Sequence, residues 1–205
     1  MSGHKHYTEY FKQVSETLTK INVTELEAVS QAIIDCYKRD GMIYIFGNGG
    51  SSATASHVAG DYLKGITFGL DKRLKIICLS DNTPGLMAIA NDISYDDIFS
   101  EQLKSFIKPG DLAIGISGSG NSENVLRALK LAKDKKVETI ALVGYSGGKA
   151  KSLVDICIHI PVNDMEMTED LHLLCFHAIK QNLIKTINTN QDSLGGKYDQ
   201  RMKEC

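Results

Sequence analysis

The chain has 205 residues, of which 42% are hydrophobic, 23% are charged and 18 are glycine; these are the proportions of a globular domain. They exclude collagen-like, disordered and mucin-like chains. The formal net charge of -2 lacks the basic excess that binding to a phosphate backbone requires, so nucleic acid is not an expected partner.

Apolar runs alternate with helical patterns along the chain, which predicts a doubly wound α/β sheet. Residues 7–39 are amphipathic and predict one long helix or two shorter ones. The predicted strands, whose hydrophobicity is continuous as in strands covered on both faces, are 42–46, 75–80, 112–117, 138–143 and 156–162. The helices predicted between and after them are 51–64, 84–90, 97–106, 122–135 and 168–187. We expect a mainly parallel, five-stranded sheet flanked by helices.

Residues 1–187 are expected to form a single domain that includes the amino-terminal helices. The segment 188–205 is polar and shows no periodicity. We predict that it is a tail, mobile or loosely docked on the domain.

Two loops rich in glycine and serine follow predicted strands, at the edge of the sheet where ligands bind in this topology. The first, GNGGSS, covers residues 47–52, and Ser51 or Ser52 is expected to cap the next helix. The second, SGSGNS, covers residues 117–122. Loops of this kind also serve as plain turns. A pair of them, without a GxGxxG or GxxxxGKS/T motif, favours a small phosphorylated metabolite over a nucleotide.

His57 and Asp61 follow the first loop and are four residues apart, so they share one face of the predicted helix. This spacing suits two ligands of one metal ion, or an acid–base pair. On a helix that faces solvent, the same two residues would form only an ion pair.

A third cluster lies along the last predicted helix and consists of Glu166, Glu169, Asp170, His172 and His177. Eight residues separate Glu169 from His177, a rise of about 12 Å if both are helical. Unless Glu169 precedes the helix, one site that uses both side chains needs a second subunit. For His172 we expect a partly buried helix position without a chemical role.

The five cysteines and the polar amino terminus predict a cytoplasmic protein. The cysteines are odd in number and form no CxxC pair, as is typical of reduced thiols. The first residues, MSGHKHYTEYFKQ, have no apolar signal core, and no window approaches 18 uninterrupted apolar residues. We therefore expect no membrane association.

Four segments, in this order, resemble the sugar isomerase (SIS) domain, and within that family the sedoheptulose 7-phosphate (phosphoheptose) isomerases: GNGGSSATASHVAGDY, LSDNTPGLMAIANDISYDDIFSEQL, PGDLAIGISGSGNSENVLRAL and MTEDLHLLCFHAI. The resemblance covers residues 7–185. It implies a homotetramer with active sites at subunit interfaces. The implied reaction converts sedoheptulose 7-phosphate to D-glycero-D-manno-heptose 7-phosphate through an enediol, for heptose-containing surface polysaccharide such as lipopolysaccharide or capsule. It requires no nucleotide or redox cofactor.

The resemblance also implies roles for individual residues. The residues expected to bind substrate are Asn48, Gly49, Gly50, Ser51, Asp92, Ser117, Gly118, Ser119, Ser122, Glu166 and Glu169. A zinc-binding quartet is implied at His57, Asp61, Glu169 and His177. Within that quartet a carboxylate, Asp61 or Glu169, is expected to act as the base, and His177 as the acid.

Several positions depart from the family pattern. Asp61 stands where the family has Glu, Glu169 where it has Gln, Glu166 where it has Asp, Gly118 where it has Thr, and Gly65 where it has Arg. These differences keep two alternatives open: a noncatalytic module that senses a sugar phosphate, and an SIS isomerase or lyase that acts on another phosphorylated sugar. A sensor would bind its ligand without turnover.

Overall fold

The computed structural model describes residues 3–188 and residue 203, so most of the predicted tail lies outside the described residues. The strands are β1 (Met42–Gly47), β2 (Lys75–Cys78), β3 (Leu112–Ser117), β4 (Glu138–Val143) and β5 (Ile156–His159). The α-helices are α1 (Gly3–Leu18), α2 (Val23–Lys38), α3 (Gly49–Gly65), α4 (Thr83–Asp92), α5 (Ser100–Phe106), α6 (Glu123–Asp134), α7 (Ala150–Leu153) and α8 (Met165–Ile187). Two short 3₁₀ helices lie at Leu79–Asp81 and Tyr95–Asp97.

The strands form one sheet in the order β2-β1-β3-β4-β5, and every neighbouring pair is parallel. The predicted doubly wound sheet is therefore confirmed. The strand order reverses direction between β1 and β3, which makes this the topological switch point where ligands bind in such sheets. Gly47, at the end of β1, pairs with Ile116 of β3, so the loops that follow these two strands begin side by side.

Each face of the sheet packs against its own layer of helices. Because side chains alternate along a strand, Ile43 and Ile45 face a core formed with α2, α3 and α8, whereas Tyr44 and Phe46 face a core formed with α5 and α6. Burial of each such side chain stabilises the fold by roughly 1.5 to 3 kcal/mol. This burial on both faces explains the continuous hydrophobicity of the strand sequences.

Capping side chains determine where two of the helices begin. The amino-terminal segment forms two helices, and Asn22 caps the second by accepting a hydrogen bond from the backbone N–H of Thr24 at 3.0 Å. Asp164 caps α8 by accepting from the N–H of Met167 at 2.8 Å. The last helix therefore begins at Met165, before the predicted start at 168, and includes Glu169.

The first residue of the predicted tail is packed against the domain. Asn188 is buried, and its side-chain amide donates hydrogen bonds to the carbonyls of Ile66 and Phe68 at 3.3 and 2.8 Å. The packed domain therefore includes Asn188.

Over the described residues, every helix is too short or too polar to cross a lipid bilayer.

Candidate active site

The two loops rich in glycine and serine line one cavity of about 270 Å³ at the carboxyl ends of β1 and β3. We call it the loop cavity. It is lined by Asn48, Gly49, Gly50, Ser51, Ile116, Ser117, Gly118, Ser119, Ser122, Met165 and Glu169. All the residues predicted to bind substrate are thus brought together, except Asp92 and Glu166. Among the described residues that line the cavity there is no lysine or arginine, so an anion would be held by neutral donors.

Two helices begin at the loop cavity, and their first turns supply backbone N–H groups to it. Asn48 and Ser122 are the N-cap residues of α3 and α6, and among the described residues neither side chain accepts a capping hydrogen bond. The expectation that Ser51 or Ser52 caps α3 is wrong, because both lie inside its first turn. Uncapped N–H groups and the positive end of a helix dipole favour a bound anion.

A pair of side-chain amides joins the two loops. The amide of Asn48 donates to Asn124 Oδ1 at 2.8 Å, and the amide of Asn124 donates back to Asn48 Oδ1 at 3.1 Å. The hydroxyl of Tyr95 also donates to Asn48 Oδ1, at 3.3 Å. Sequence reasoning missed Asn124, which is 2% exposed, and Tyr95. The signal for Asn124 was an amide in the first turn of the helix that follows the serine loop.

The serine hydroxyls of the second loop form hydrogen bonds within the loop. Ser117 Oγ and Ser122 Oγ are 3.1 Å apart, and the backbone N–H of Asn121 donates to Ser119 Oγ at 3.2 Å. Ser117 is 4% exposed, whereas Ser119 and Ser122 are half-buried. These hydroxyls are therefore already oriented around the cavity before any ligand arrives.

Two glycines in the loops lie against the ends of side chains from α8. A Cβ atom at residue 50 would collide with the carboxylate of Glu169, and one at residue 118 would lie 2.5 Å from Met165 Sδ. A larger residue at position 118, where this chain departs from the family pattern, would therefore require the Met165 side chain to move. Burial raises the pKa of the Glu169 carboxyl, and the negative charges of Glu166 and Asp170 raise it further.

A second cluster, which we call the triad, lies between α3 and α8 and consists of His57, Asp61 and His177. The two histidine Nε2 atoms are 3.0 Å apart, and Asp61 Oδ2 lies 3.6 Å from Nε2 of His57 and 3.8 Å from Nε2 of His177. The predicted shared face of His57 and Asp61 is confirmed. Both histidine side chains are about half exposed, at 48% and 46%, so the triad can be reached from solvent.

A buried hydrogen bond holds the two helices of the triad in register. Tyr62, which follows Asp61, is 1% exposed, and its hydroxyl donates to the backbone carbonyl of Phe176 at 2.8 Å. Phe176 precedes His177. The rings of Tyr62 and Phe176 pack edge to face, with centroids 6.2 Å apart. The backbone beside two triad residues is therefore fixed from within the core.

Two lysines neutralise the charge of the triad carboxylate. Lys180 Nζ donates to Asp61 Oδ2 at 2.8 Å, and Lys64 Nζ lies 3.8 Å from Asp61 Oδ1. Burial alone would raise the pKa of Asp61, but the hydrogen bond and charge of Lys180, helped by His57 and Lys64, leave that pKa below its usual value. Sequence reasoning missed Lys180. Its signal was its place one helical turn after His177.

Of the predicted site residues, Asp92 and Glu166 belong to neither the triad nor the loop cavity, and Glu169 lines the loop cavity but does not join the triad. Glu169 lies eight residues before His177 in the same helix, about 12 Å along the helix axis. This distance keeps its carboxylate out of the triad of its own chain. Asp92 is exposed at the end of α4, where its carboxylate accepts from the Asn91 amide at 2.7 Å. Glu166 is exposed in the first turn of α8. Their predicted roles stay predictions.

Comparison with known proteins places the chain in one group of sugar-phosphate enzymes. The family model described as SIS domain matches residues 6–144. A phosphoheptose isomerase from Aliarcobacter butzleri is 41% identical over 81% of this chain and 89% of its own length. A probable phosphoheptose isomerase from Thermoplasma volcanium is 36% identical over 84% of this chain and 87% of its own length. The structure of phosphoheptose isomerase GmhA from Neisseria gonorrhoeae superposes with a TM-score of 0.83 at 30% identity, covering 89% of this chain and 98% of that one.

Proposed function

The chain belongs to the SIS-domain family and, within it, to the phosphoheptose isomerases, and we propose that it converts sedoheptulose 7-phosphate to D-glycero-D-manno-heptose 7-phosphate. The observation that carries this proposal is the presence, in one chain, of the loop cavity and the triad. The loop cavity offers neutral hydrogen-bond donors and two helix amino ends, which suit a phosphate. The triad offers imidazole and carboxylate groups, which suit proton transfer.

The reaction moves hydrogen between two neighbouring carbons of an open-chain sugar through an enediol. A carboxylate removes the proton from C1 and returns it to C2, while His177 moves protons between the two oxygens. Two contrasting carboxylates are present. Lys180 holds Asp61 as a weakly basic carboxylate, whereas burial and the charges of Glu166 and Asp170 raise the pKa of Glu169 and make it the stronger base. We therefore assign the base to Glu169.

Binding of the phosphate, which is remote from the reacting carbons, supplies the free energy that positions those carbons. The loop cavity is assembled by hydrogen bonds between its own amides and hydroxyls, so little reorganisation is needed on binding. Holding a substrate close to its reactive geometry can contribute several kcal/mol to lowering the barrier. We propose that the product, D-glycero-D-manno-heptose 7-phosphate, is used to make heptose-containing surface polysaccharide, either lipopolysaccharide or capsule.

The donors of the triad fit a zinc ion. One ligand atom from each of the three residues lies within 4.8 Å of the others, and imidazole nitrogen with carboxylate oxygen is a common donor set for zinc. We propose that His57, Asp61 and His177 hold Zn²⁺ and that Glu169 of a neighbouring copy, as the base, completes the active site beside them. When bound, the ion supplies a Lewis acid that polarises the sugar carbonyl.

We propose a homotetramer whose active sites lie at subunit interfaces. Glu169 and His177 lie about 12 Å apart along one rigid helix, so a single site that uses both draws them from different copies. Large apolar side chains that are exposed on the single chain supply contact surface: Tyr7, Phe11, Met87, Ile93, Tyr95 and Phe106. Light scattering coupled to gel filtration tests the assembly.

We also propose a cytoplasmic location, since Cys36, Cys78, Cys157 and Cys175 are free thiols.

The test of the function is turnover of sedoheptulose 7-phosphate by the purified protein, prepared metal-free and then supplied with Zn²⁺. Formation of the aldoheptose 7-phosphate is followed by NMR. Product that depends on zinc is the expected result. Tight binding of substrate without product in either condition would favour the sensor. Product only from another ketose phosphate or amino-sugar phosphate in a substrate panel would favour a different SIS enzyme.

A further inference from the structure

Lys180 occupies a position that the proposed reaction leaves unexplained. It follows His177 by three residues on α8 and therefore projects toward the same side of the helix. Its ammonium lies 2.8 Å from Asp61 Oδ2, and both side chains are largely buried, at 18% and 21% exposed. Lys64 approaches the other carboxylate oxygen at 3.8 Å and is 54% exposed. Lys180 is thus the closer and the less hydrated of the two cations.

The oxygen that binds Lys180 is the one that faces both histidines. Asp61 Oδ2 lies 3.6 Å from His57 Nε2 and 3.8 Å from His177 Nε2. A divalent cation between the two imidazoles would need this same oxygen. The ammonium and the cation would then share one carboxylate within a few ångströms, where like charges repel strongly because little water separates them.

We propose that Lys180 is a positioning residue that holds Asp61 against the two histidines while lowering the affinity of the triad for a divalent cation. This inference rests on the proposed metal site. Lys180 keeps the carboxylate in place when no ion is bound, so the ligand geometry is prepared in advance. It competes for Asp61 Oδ2 when an ion arrives, so the ion is held less firmly than by the same three ligands alone.

The experiment measures the dissociation constant of Zn²⁺ by competition with a chromophoric chelator, on metal-free full-length protein. Lys180→Met keeps the length of the side chain and removes its charge. We expect it to tighten zinc binding at least tenfold, which corresponds to about 1.4 kcal/mol. Lys180→Arg keeps the charge and should stay within threefold of the parent. Lys64→Met, on the more exposed lysine that lies farther from the carboxylate, is the matched comparison and should tighten zinc binding less than Lys180→Met does.

Two further variants separate the possible outcomes. His57→Ala should weaken zinc binding strongly, and the gain from Lys180→Met should vanish in the Asp61→Asn background if both act through one oxygen. Zinc affinity that is lost in His57→Ala but unchanged by Lys180→Met overturns the role of Lys180 and leaves the metal site standing. Zinc affinity that does not depend on His57 overturns both. Circular dichroism checks folding, and turnover measured on the same samples reports separately on the proposed isomerase.

Discussion

The loop cavity and the triad lie in the same chain but are stabilised by different interactions. Mostly neutral groups form the loop cavity: a reciprocal amide pair between Asn48 and Asn124, serine hydroxyls, and backbone N–H groups at two helix ends, with the Glu169 carboxylate also in its lining. Two half-exposed imidazoles and one carboxylate form the triad, and Lys180 balances the charge of the carboxylate. We infer that the loop cavity can lose one hydrogen bond and still bind, whereas loss of His177 from the triad removes the group that moves protons between the two oxygens.

The largest expected effect is on the triad. His177→Ala should lower kcat by at least about 1,000-fold, because the variant lacks the group that moves protons between the two oxygens. Steady-state kinetics at saturating Zn²⁺ measures the loss, and circular dichroism with thermal unfolding establishes that the fold is kept. His6→Ala, on the exposed face of α1, is the matched control. Retained turnover in His177→Ala would remove this histidine from the mechanism.

Replacement of the two carboxylates tests which region supplies the base. Glu169→Gln should lower kcat by about 100-fold, at the lower end of what loss of a general base costs, while Asp61→Asn at saturating Zn²⁺ should cost less. The pH profile gives a second measurement. Because the pKa of Glu169 is raised, kcat/KM should fall as the pH drops through that raised value, and this acid limb should disappear in Glu169→Gln. The opposite ranking of the two variants would assign the base to Asp61.

His172 lies on α8 between Glu169 of the loop cavity and His177 of the triad. It is fully buried, rather than partly buried as expected. Burial lowers its pKa from 6.5 to about 4, although the backbone of Val143 opposes part of this shift. In the described residues neither ring nitrogen forms a hydrogen bond of good geometry. The folded protein therefore contains neutral imidazole at a pH where the unfolded chain binds a proton.

This shift predicts that acid destabilises the fold. The contribution of His172 to the free energy of unfolding is complete above pH 6.5 and is lost as the pH falls toward 4. The total loss is about 3 kcal/mol, because over this range the unfolded chain binds a proton that the folded protein does not. Urea unfolding of the parent and of His172→Leu between pH 7 and pH 4 measures it. The variant should lose less stability over this range, and His6→Leu should behave like the parent. Equal slopes in all three proteins would show that His172 does not control acid sensitivity.

The smallest expected effect is in the loop cavity. Ser119→Ala should raise KM for the sugar phosphate about tenfold, while kcat stays within about threefold, because one of several neutral donors is lost far from the reacting carbons. Steady-state kinetics separates the two constants. Ser146→Ala, at an exposed serine outside the loop cavity, should leave both unchanged. An unchanged KM in Ser119→Ala would exclude this hydroxyl from phosphate binding.

Local sequence patterns predicted most of the fold. The strands β3 and β4 have the predicted bounds, 112–117 and 138–143, and the others differ by at most three residues at their ends. These segments are recognisable because their apolar runs bury both faces of a parallel strand. Helix starts were harder to predict. The start of α8 depends on the cap that Asp164 provides, and a capping aspartate looks like any other polar loop residue in a sequence.

The loops and the spacing of His57 and Asp61 were also evident in the sequence. Both follow from short-range rules: turn residues after a strand, and a four-residue repeat on a helix. The chain alone therefore determined the sheet, the two loops at its edge, and which residue types could perform the chemistry.

Long-range packing determined how these parts meet. His177 reaches His57 across 120 residues, Asn124 reaches Asn48 across 76, and Lys180 reaches Asp61 across 119. No periodicity encodes these pairs, since each depends on the angle and register at which two elements pack in the core. The opposite pKa shifts of Asp61 and Glu169 likewise exist only after the helices have packed. Burial raises the pKa of both carboxyls, and only Asp61 has Lys180 beside it to lower its pKa.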